Sequence, residues 1–332
     1  MNGRPPIARV SATARFLPDQ VMTNADLERL VDTSDSWIRE RTGIRERRIA
    51  PDDITAVDMG ERAALGALAK AGLEPSDVDM IVVSTATPDR LLPSTACEIQ
   101  SRIGASRSCL AFDISAACTG FLYALSIAEG YLAAGRGETI LVVSTEKMSS
   151  IIDWDDRATC ILFGDGAGAA VVQPSRNGEG ILASFHRSDG DLAPLLQRPV
   201  GGAAKPLTEE SLRNREHMLL MKSGREVFRS AVRSMAHAGN MVMEEAGLDV
   251  DRIDLMVPHQ ANSRIIESTA RYAGIPMDKV FVNLHRYGNI SSATIPVCLD
   301  EAEEEGRLVP GSVVLMTAFG AGLTWGAMAL RW

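Results

Sequence analysis

The sequence predicts an α/β fold made of two similar halves, with sheets and helices stacked in layers. Three observations carry this. "AGLEPSDVDMIVVSTA", starting at residue 71, aligns without gaps on "AGLDVDRIDLMVPHQA", starting at 246, an offset of 175 residues. "GRGETILVVSTEK" (135–147) pairs at the same offset with "PGSVVLMTAFGAG" (310–322). Each half also alternates helical periodicity with short buried apolar runs, the pattern of α/β layers.

In the first half, "MGERAALGALAKAG" (59–72) has helical spacing, and "MIVVS" (80–84) after a polar turn is a buried strand. "ILVVSTEK" (140–147) is a second strand led in by a glycine turn, and the alternating "GAGAAVVQ" (166–173) adjoins it. The second half repeats this with the helix "REVFRSAVRSMAHAGNMVMEEAG" (225–247), the strands in "DLMVPH" and "VVLMTAF", and the closing "WGAMALRW" (325–332). The halves run 1–175 and 176–332. A fused pair has a pseudo-twofold axis, and the cleft between its halves is a natural place for a site. Residues 188–217, rich in Gly, Pro and polar side chains, have no counterpart and read as a surface excursion near the entrance. "GDGAGAA" (164–170) and "FGAGLTWG" (319–326) look superficially like phosphate loops. Each precedes an alternating strand rather than a helix, so both read as tight turns between strands.

Composition narrows the function. A net charge of -9 gives no bulk attraction to nucleic acid or anionic lipid, so an acidic partner would need a local basic patch. No apolar run approaches the roughly 18 residues of a membrane span, and the first residues lack the apolar core of a signal peptide, so a cytoplasmic location is expected. Five cysteines without paired spacing form neither a disulfide framework nor a CxxC metal site. Cys97, Cys109, Cys160 and Cys298 sit among small or apolar neighbours and read as buried structural thiols.

Cys118 differs. It lies in "DISAACTGF", between small residues and an apolar helical pattern, where a helix N-terminus would favour thiolate over thiol. The repeat offset carries its loop to "GNISSATIP", which contains Asn289, and sets His259 at a strand end where the first half has Ser84. Strand ends are where α/β sheets gather ligands and catalytic groups. Cys, His and Asn fit two chemistries: amide hydrolysis with His as the base for Cys, or acyl condensation in which His and Asn hold a thioester enolate. His186, His217, His237 and His285 lack such partners.

"DISAACTGF", "VPHQAN", "RYGNISSATIP" and "AFGAGLTWG", in this order and spacing, resemble the 3-oxoacyl-[acyl-carrier-protein] synthase III family of condensing enzymes; "TSDSWIRERTGIRERRIA" (33–50) is similar to its N-terminal signature. The resemblance covers nearly the whole chain. Papain-like hydrolases share the residue types but neither the duplication nor these contexts. The resemblance implies a thiolase-like fold with layers α-β-α-β-α and an acyltransferase that uses a coenzyme A thioester as substrate, with no separate cofactor and no metal. It implies that Cys118 takes the acyl group, that His259 and Asn289 hold the thioester carbonyl of malonyl on acyl carrier protein, and that Phe319, Gly320 and Ala321 support decarboxylation and the oxyanion.

It further implies that Trp37 and Arg157, with Thr33 and Arg41 close by, hold coenzyme A. Arg229, Arg264 and Arg271 would form the patch for the acidic carrier, in a homodimer with no role for nucleic acid or membrane. Leu92 stands where relatives place an aromatic residue reaching across the dimer to limit the acyl pocket, so longer or branched starters are expected. The turn reads Gly320, Ala321, Gly322, Leu323 where relatives carry three glycines, and a positive φ at Ala321 would cost about 1 kcal/mol. A second reading keeps the same three residues in a related acyltransferase or condensing enzyme of secondary metabolism.

Overall fold

The structure, a computed structural model, describes residues 5–332. Its first sheet comprises β1 (Ala8–Phe16), β2 (Met80–Ser84), β3 (Leu110–Ile114), β4 (Ile140–Lys147) and β5 (Asp165–Pro174), in the order β1-β5-β4-β2-β3. The second comprises β6 (Gly180–Ser188), β7 (Leu255–Pro258), β8 (Val313–Gly320) and β9 (Thr324–Arg331), in the order β7-β8-β9-β6. The two share one pattern. In each, a parallel pair (β2 with β4, β7 with β8) continues into two antiparallel neighbours (β5 then β1, β9 then β6). The first sheet adds β3, parallel to β2; in the second, one isolated bridge between Met256 and Val280 stands there.

The main helices are α1 (Asp35–Thr42), α2 (Ala56–Ala71), α3 (Thr95–Ile103), α4 (Gly120–Ala133), α5 (Gly224–Ala246), α6 (Ser263–Ala273) and α7 (Thr294–Glu304). The strands' two-residue period sorts them into layers. Ile81, Val83, Leu141, Val143, Ala169 and Val171 face outward onto α2 and α3, whereas Val82, Val142, Ala170 and Val172 face inward onto α4 and α7. The same two helices bury Leu255, Val257, Val314, Met316 and Met328 of the second sheet, whose opposite face is covered by α5 and α6. The order is therefore α-β-α-β-α. α2 and α5 both end on a glycine in the left-handed region (Gly72, φ 68°; Gly247, φ 62°), which accounts for the repeated Ala-Gly-Leu.

Two sequence expectations need correction. "GDGAGAA" is not a turn: Asp165 onward belongs to β5, where small residues let neighbours approach. A Cβ on Gly168 would lie 2.8 Å from the Pro296 ring of α7. Cys97 is exposed, while Cys109, Cys160 and Cys298 are buried, and all are free thiols. Among the described residues no helix is long and apolar enough to cross a membrane.

Candidate active site

The catalytic candidates are held by structurally related turns. Each central helix is preceded by a short 3-10 turn, Ala117–Thr119 before α4 and Ser291–Ala293 before α7, and each turn opens on a non-glycine residue with positive φ, Ala117 at 45° and Ser291 at 50°. Such backbone costs on the order of 1–3 kcal/mol per residue and persists where its surroundings enforce it. Here it brings Cys118 Sγ to 3.6 Å from Ser291 Oγ, joining the halves. Cys118 corresponds to Ser292 (292 − 118 = 174) rather than to Asn289, which lies three residues earlier in the loop.

Cys118, His259 and Asn289 all line one cavity of about 580 Å³, as do Phe319, Gly320, Ala321 and Arg41. Asn289 is buried, and its Oδ1 accepts the Ser291 backbone N–H at 2.8 Å, which orients the amide and leaves Nδ2 as a donor. His259 follows β7 directly; its backbone N–H donates to the Thr317 carbonyl at 2.7 Å, and its Nδ1 lies 2.7 Å from Thr294 Oγ1. Burial pushes His259 down to about 3, which favours a neutral ring at physiological pH, able to serve as a hydrogen-bond group rather than a cation. None of the other four histidines lines the cavity.

Cys118 departs from the sequence expectation. Burial pushes its thiol up to about 12; the Ser291 hydroxyl and its own backbone N–H pull down, and the buried Glu146 adds to the rise. A helix terminus contributes at most about 2 kcal/mol, and burial outweighs it, so the resting group is a thiol. Glu146 accepts from the Ser292 hydroxyl (2.8 Å), Thr87 hydroxyl (2.9 Å) and Ala86 N–H (3.0 Å), and burial holds its carboxyl above the usual range.

The turn after β8 packs against the Cys118 backbone. A Cβ on Gly320 would lie 2.7 Å from Cys118 N, and Thr324 Oγ1, 2.7 Å from Thr119 Oγ1, pins the two turns together. The strain expected at Ala321 is absent: positive φ falls on Gly322 (146°), where no Cβ opposes it. One side of the remaining wall is apolar. Leu196 of the excursion, Leu219 and Met221 just after it, and Val227, Phe228, Ala231 and Met235 of α5 line it. These residues are spread over 40 positions and had no local sequence signature. The excursion thus lines the cavity through Leu196, Gln197 and Arg198, the first two paired in a two-stranded ribbon with Leu220–Met221 that follow it.

Other expected residues lie outside this cavity. Trp37 is flanked by guanidinium groups, Arg157 at 4.7 Å and Arg41 at 4.8 Å from the ring centre. A base stacked between Trp37 and Arg157 needs about 7 Å, twice an ordinary ~3.5 Å contact, so this clamp is closed on itself. Arg157 also donates to the Asp32 carbonyl at 2.8 Å, and the part-buried Thr33 Oγ1 has no hydrogen-bond partner. Leu92 is 86% exposed on the surface of the chain. Arg229, Arg264 and Arg271 are exposed and carry no ion pair among the described residues; Arg225 and Arg233, missed in the sequence, extend Arg229 into an i, i+4, i+8 stripe on α5. No cluster of His, Cys, Asp and Glu that could hold a metal ion occurs among the described residues.

A duplicated α-β-α-β-α fold that directs a cysteine, a histidine and an asparagine into one cleft defines the thiolase-fold condensing enzymes, a class of acyltransferases. Comparison with known proteins gives the particular member. Residues 112–190 match the model of 3-oxoacyl-[acyl-carrier-protein] synthase III, and residues 243–332 match that of its C-terminal part. The chain is 50% identical over 323 residues (97% of each chain) to a beta-ketoacyl-[acyl-carrier-protein] synthase III of Symbiobacterium thermophilum. It is 48% identical over 328 residues, 98% of this chain and 99% of the other, to one of Natranaerobius thermophilus. The crystal structure of 3-oxoacyl-[acyl-carrier-protein] synthase III from Aquifex aeolicus superposes with a TM-score of 0.91 at 46% identity, covering 98% of this chain and 100% of that one. The chain belongs to the 3-oxoacyl-[acyl-carrier-protein] synthase III family.

Proposed function

We propose that this enzyme condenses an acyl-CoA starter with malonyl-acyl carrier protein to give 3-oxoacyl-carrier, the priming step of fatty-acid synthesis. The observation that carries the reading is the convergence of Cys118, His259 and Asn289 on one cavity beside the Gly320–Ala321 backbone. In the first half-reaction the Cys118 sulfur bonds to the acyl carbonyl carbon and the coenzyme A thiolate leaves, taking up the thiol proton. The backbone N–H of Cys118 and the Gly320–Gly322 turn receive the transient oxyanion. In the second, malonyl-carrier loses carbon dioxide. The freed electron pair becomes a thioester enolate whose oxygen accepts from His259 Nε2–H and Asn289 Nδ2–H, while Phe319 shields the departing carboxylate. The enolate carbon then attacks the acyl-Cys118 carbonyl, and the expelled sulfur takes a proton. A neutral histidine suits this step, because decarboxylation needs a donor to the developing charge and no base.

The same reading assigns residues 1–175 to a nucleophile-bearing half and 176–332 to a half bearing the two donors. Arg157 swings off Trp37 to admit the adenine, with Thr33 and Arg41 alongside; its exposed position supports that movement. The stripe of Arg225, Arg229 and Arg233, with Arg264 and Arg271, meets the acidic carrier. Leu92, outside the cavity of its own chain, acts on the acyl pocket of a second copy in a homodimer and admits starters longer or more branched than acetyl. Incubating the protein with malonyl-carrier and a panel of acyl-CoAs, with mass spectrometry of the products, tests the reading. Ketoacyl-carrier should form, with butyryl- or isobutyryl-CoA at least matching acetyl-CoA. Failure with every donor overturns the function, and a strong acetyl preference overturns the role of Leu92.

A further inference from the structure

We propose that Thr294 is a positioning residue that sets the tautomer of His259: its hydroxyl donates to Nδ1, so that the ring's only proton sits on Nε2 and faces the cavity. The inference rests on the condensation described above and deepens it. A neutral imidazole carries one N–H, and the partner of one nitrogen decides what the other presents. Among the described residues, Thr294 is the hydrogen-bond partner of the His259 ring, at 2.7 Å. Both side chains are about 1% exposed, which leaves no opening for bulk water to take over the role.

The hydroxyl has one proton and two candidate acceptors, Nδ1 at 2.7 Å and the Ser291 carbonyl at 3.1 Å. Ser291 O already accepts the Thr294 backbone N–H on one of its two lone pairs and lies 0.4 Å farther from the hydroxyl than Nδ1 does, so the proton's shorter path is to Nδ1. The 2.7 Å separation falls in the middle of the range of an O–H donor and at the short limit, about 2.7 Å, of an N–H···O bond. In the opposite arrangement Nδ1 would hold the proton, and Nε2 would turn a bare lone pair toward an oxygen gaining negative charge. Thr294 opens α7 five residues after Asn289. One loop thus supplies the second donor and orients the first.

The test uses the full-length enzyme, Thr294→Val, which keeps the shape and removes the hydroxyl, and Thr294→Ser, which keeps the hydroxyl. Nitrogen NMR of histidine-labelled protein, with His259→Gln identifying the resonances, should show a protonated Nε2 and bare Nδ1 in the wild type and Thr294→Ser, and a mixture in Thr294→Val. Acyl transfer from acyl-CoA to Cys118 should persist in Thr294→Val, while decarboxylation of malonyl-carrier falls ten- to a hundredfold and Thr294→Ser restores most of it. A wild-type proton on Nδ1 overturns the proposal, as does decarboxylation within twofold of wild type in Thr294→Val or an equal loss in both variants. A wild type that makes no ketoacyl product yet shows the expected tautomer would sink the condensation reading instead.

Discussion

Replacing Gly320 by alanine tests how the nucleophile is held. The added Cβ would lie 2.7 Å from Cys118 N and 3.3 Å from both Ala117 Cβ and Thr119 N. Ordinary contact begins near 3.5 Å, so the backbone of β8 and the nucleophile turn must separate by about 0.8 Å. Neither side yields cheaply, because Cys118 N is main chain and the Thr119–Thr324 hydrogen bond pins the turns. Forcing a methyl into such packing costs on the order of 1–3 kcal/mol. Moving oxyanion donors by this distance costs roughly tenfold to a hundredfold in rate, given that a 1 Å misplacement costs about a hundredfold. The assay is single-turnover acylation, followed by release of the coenzyme A thiol and the mass gain on Cys118, with thermal denaturation alongside. An acylation rate within threefold of wild type together with an unchanged melting temperature would refute the tight contact and the oxyanion role drawn from it.

Three further outcomes follow from the same geometry. A Cβ on Gly120 would sit 1.7 Å from Ser84 Oγ and 2.8 Å from Ser84 Cβ, so Gly120→Ala should destabilise by about 1–3 kcal/mol, and adding Ser84→Gly should recover part of it; strictly additive losses in denaturant titrations would contradict the contact. With the Cys118 thiol pushed up to about 12, its alkylation by iodoacetamide should rise about tenfold per pH unit from 7 to 10, and a plateau below pH 8 would show that the helix start prevails over burial. His259, pushed down from 6.5 to about 3, binds its proton in the unfolded chain before the folded one. Its contribution to stability is therefore complete above 6.5 and is lost as pH falls toward 3, at up to about 1.4 kcal/mol per unit. The difference in unfolding free energy between wild type and His259→Gln should shrink over that window, and a constant difference would contradict the depressed value.

Much of the fold was legible because a duplicated backbone leaves a duplicated pattern of apolar runs. The offset that set Ser84 opposite His259 is the pairing of β2 with β7, and the loop it assigned to Asn289 is the counterpart of the Cys118 turn. Strands β1 and β6 carried little signal: their partners lie far along the chain, β1 pairing with β5 across more than 150 residues, and only tertiary contact reveals them. The small residues of β5 read as a turn because glycine that admits a neighbouring helix resembles glycine that bends a chain. The protonation of Cys118 is not legible in the sequence for a related reason. A helix start is visible in the sequence, but the burial that outweighs it arises from both halves together. Thr294 and Glu146 went unnoticed because their roles depend on partners 35 and 146 residues away, His259 and Ser292. The self-closed contact of Trp37 with Arg157 was likewise a matter of side-chain placement beyond the reach of motif spacing.

The central claim is a division of labour, with Cys118 carrying the acyl group and His259 and Asn289 serving the second substrate. Intact-protein mass spectrometry of Cys118→Ala, His259→Ala and Asn289→Ala after exposure to acyl-CoA, followed by measurement of carbon dioxide released from malonyl-carrier, tests it most directly. No acyl adduct should form on Cys118→Ala. A full adduct should form on His259→Ala and Asn289→Ala, with decarboxylation reduced by at least about a hundredfold, what removal of one oxyanion donor costs. Complete loss of the adduct in either of those two correctly folded variants would contradict it.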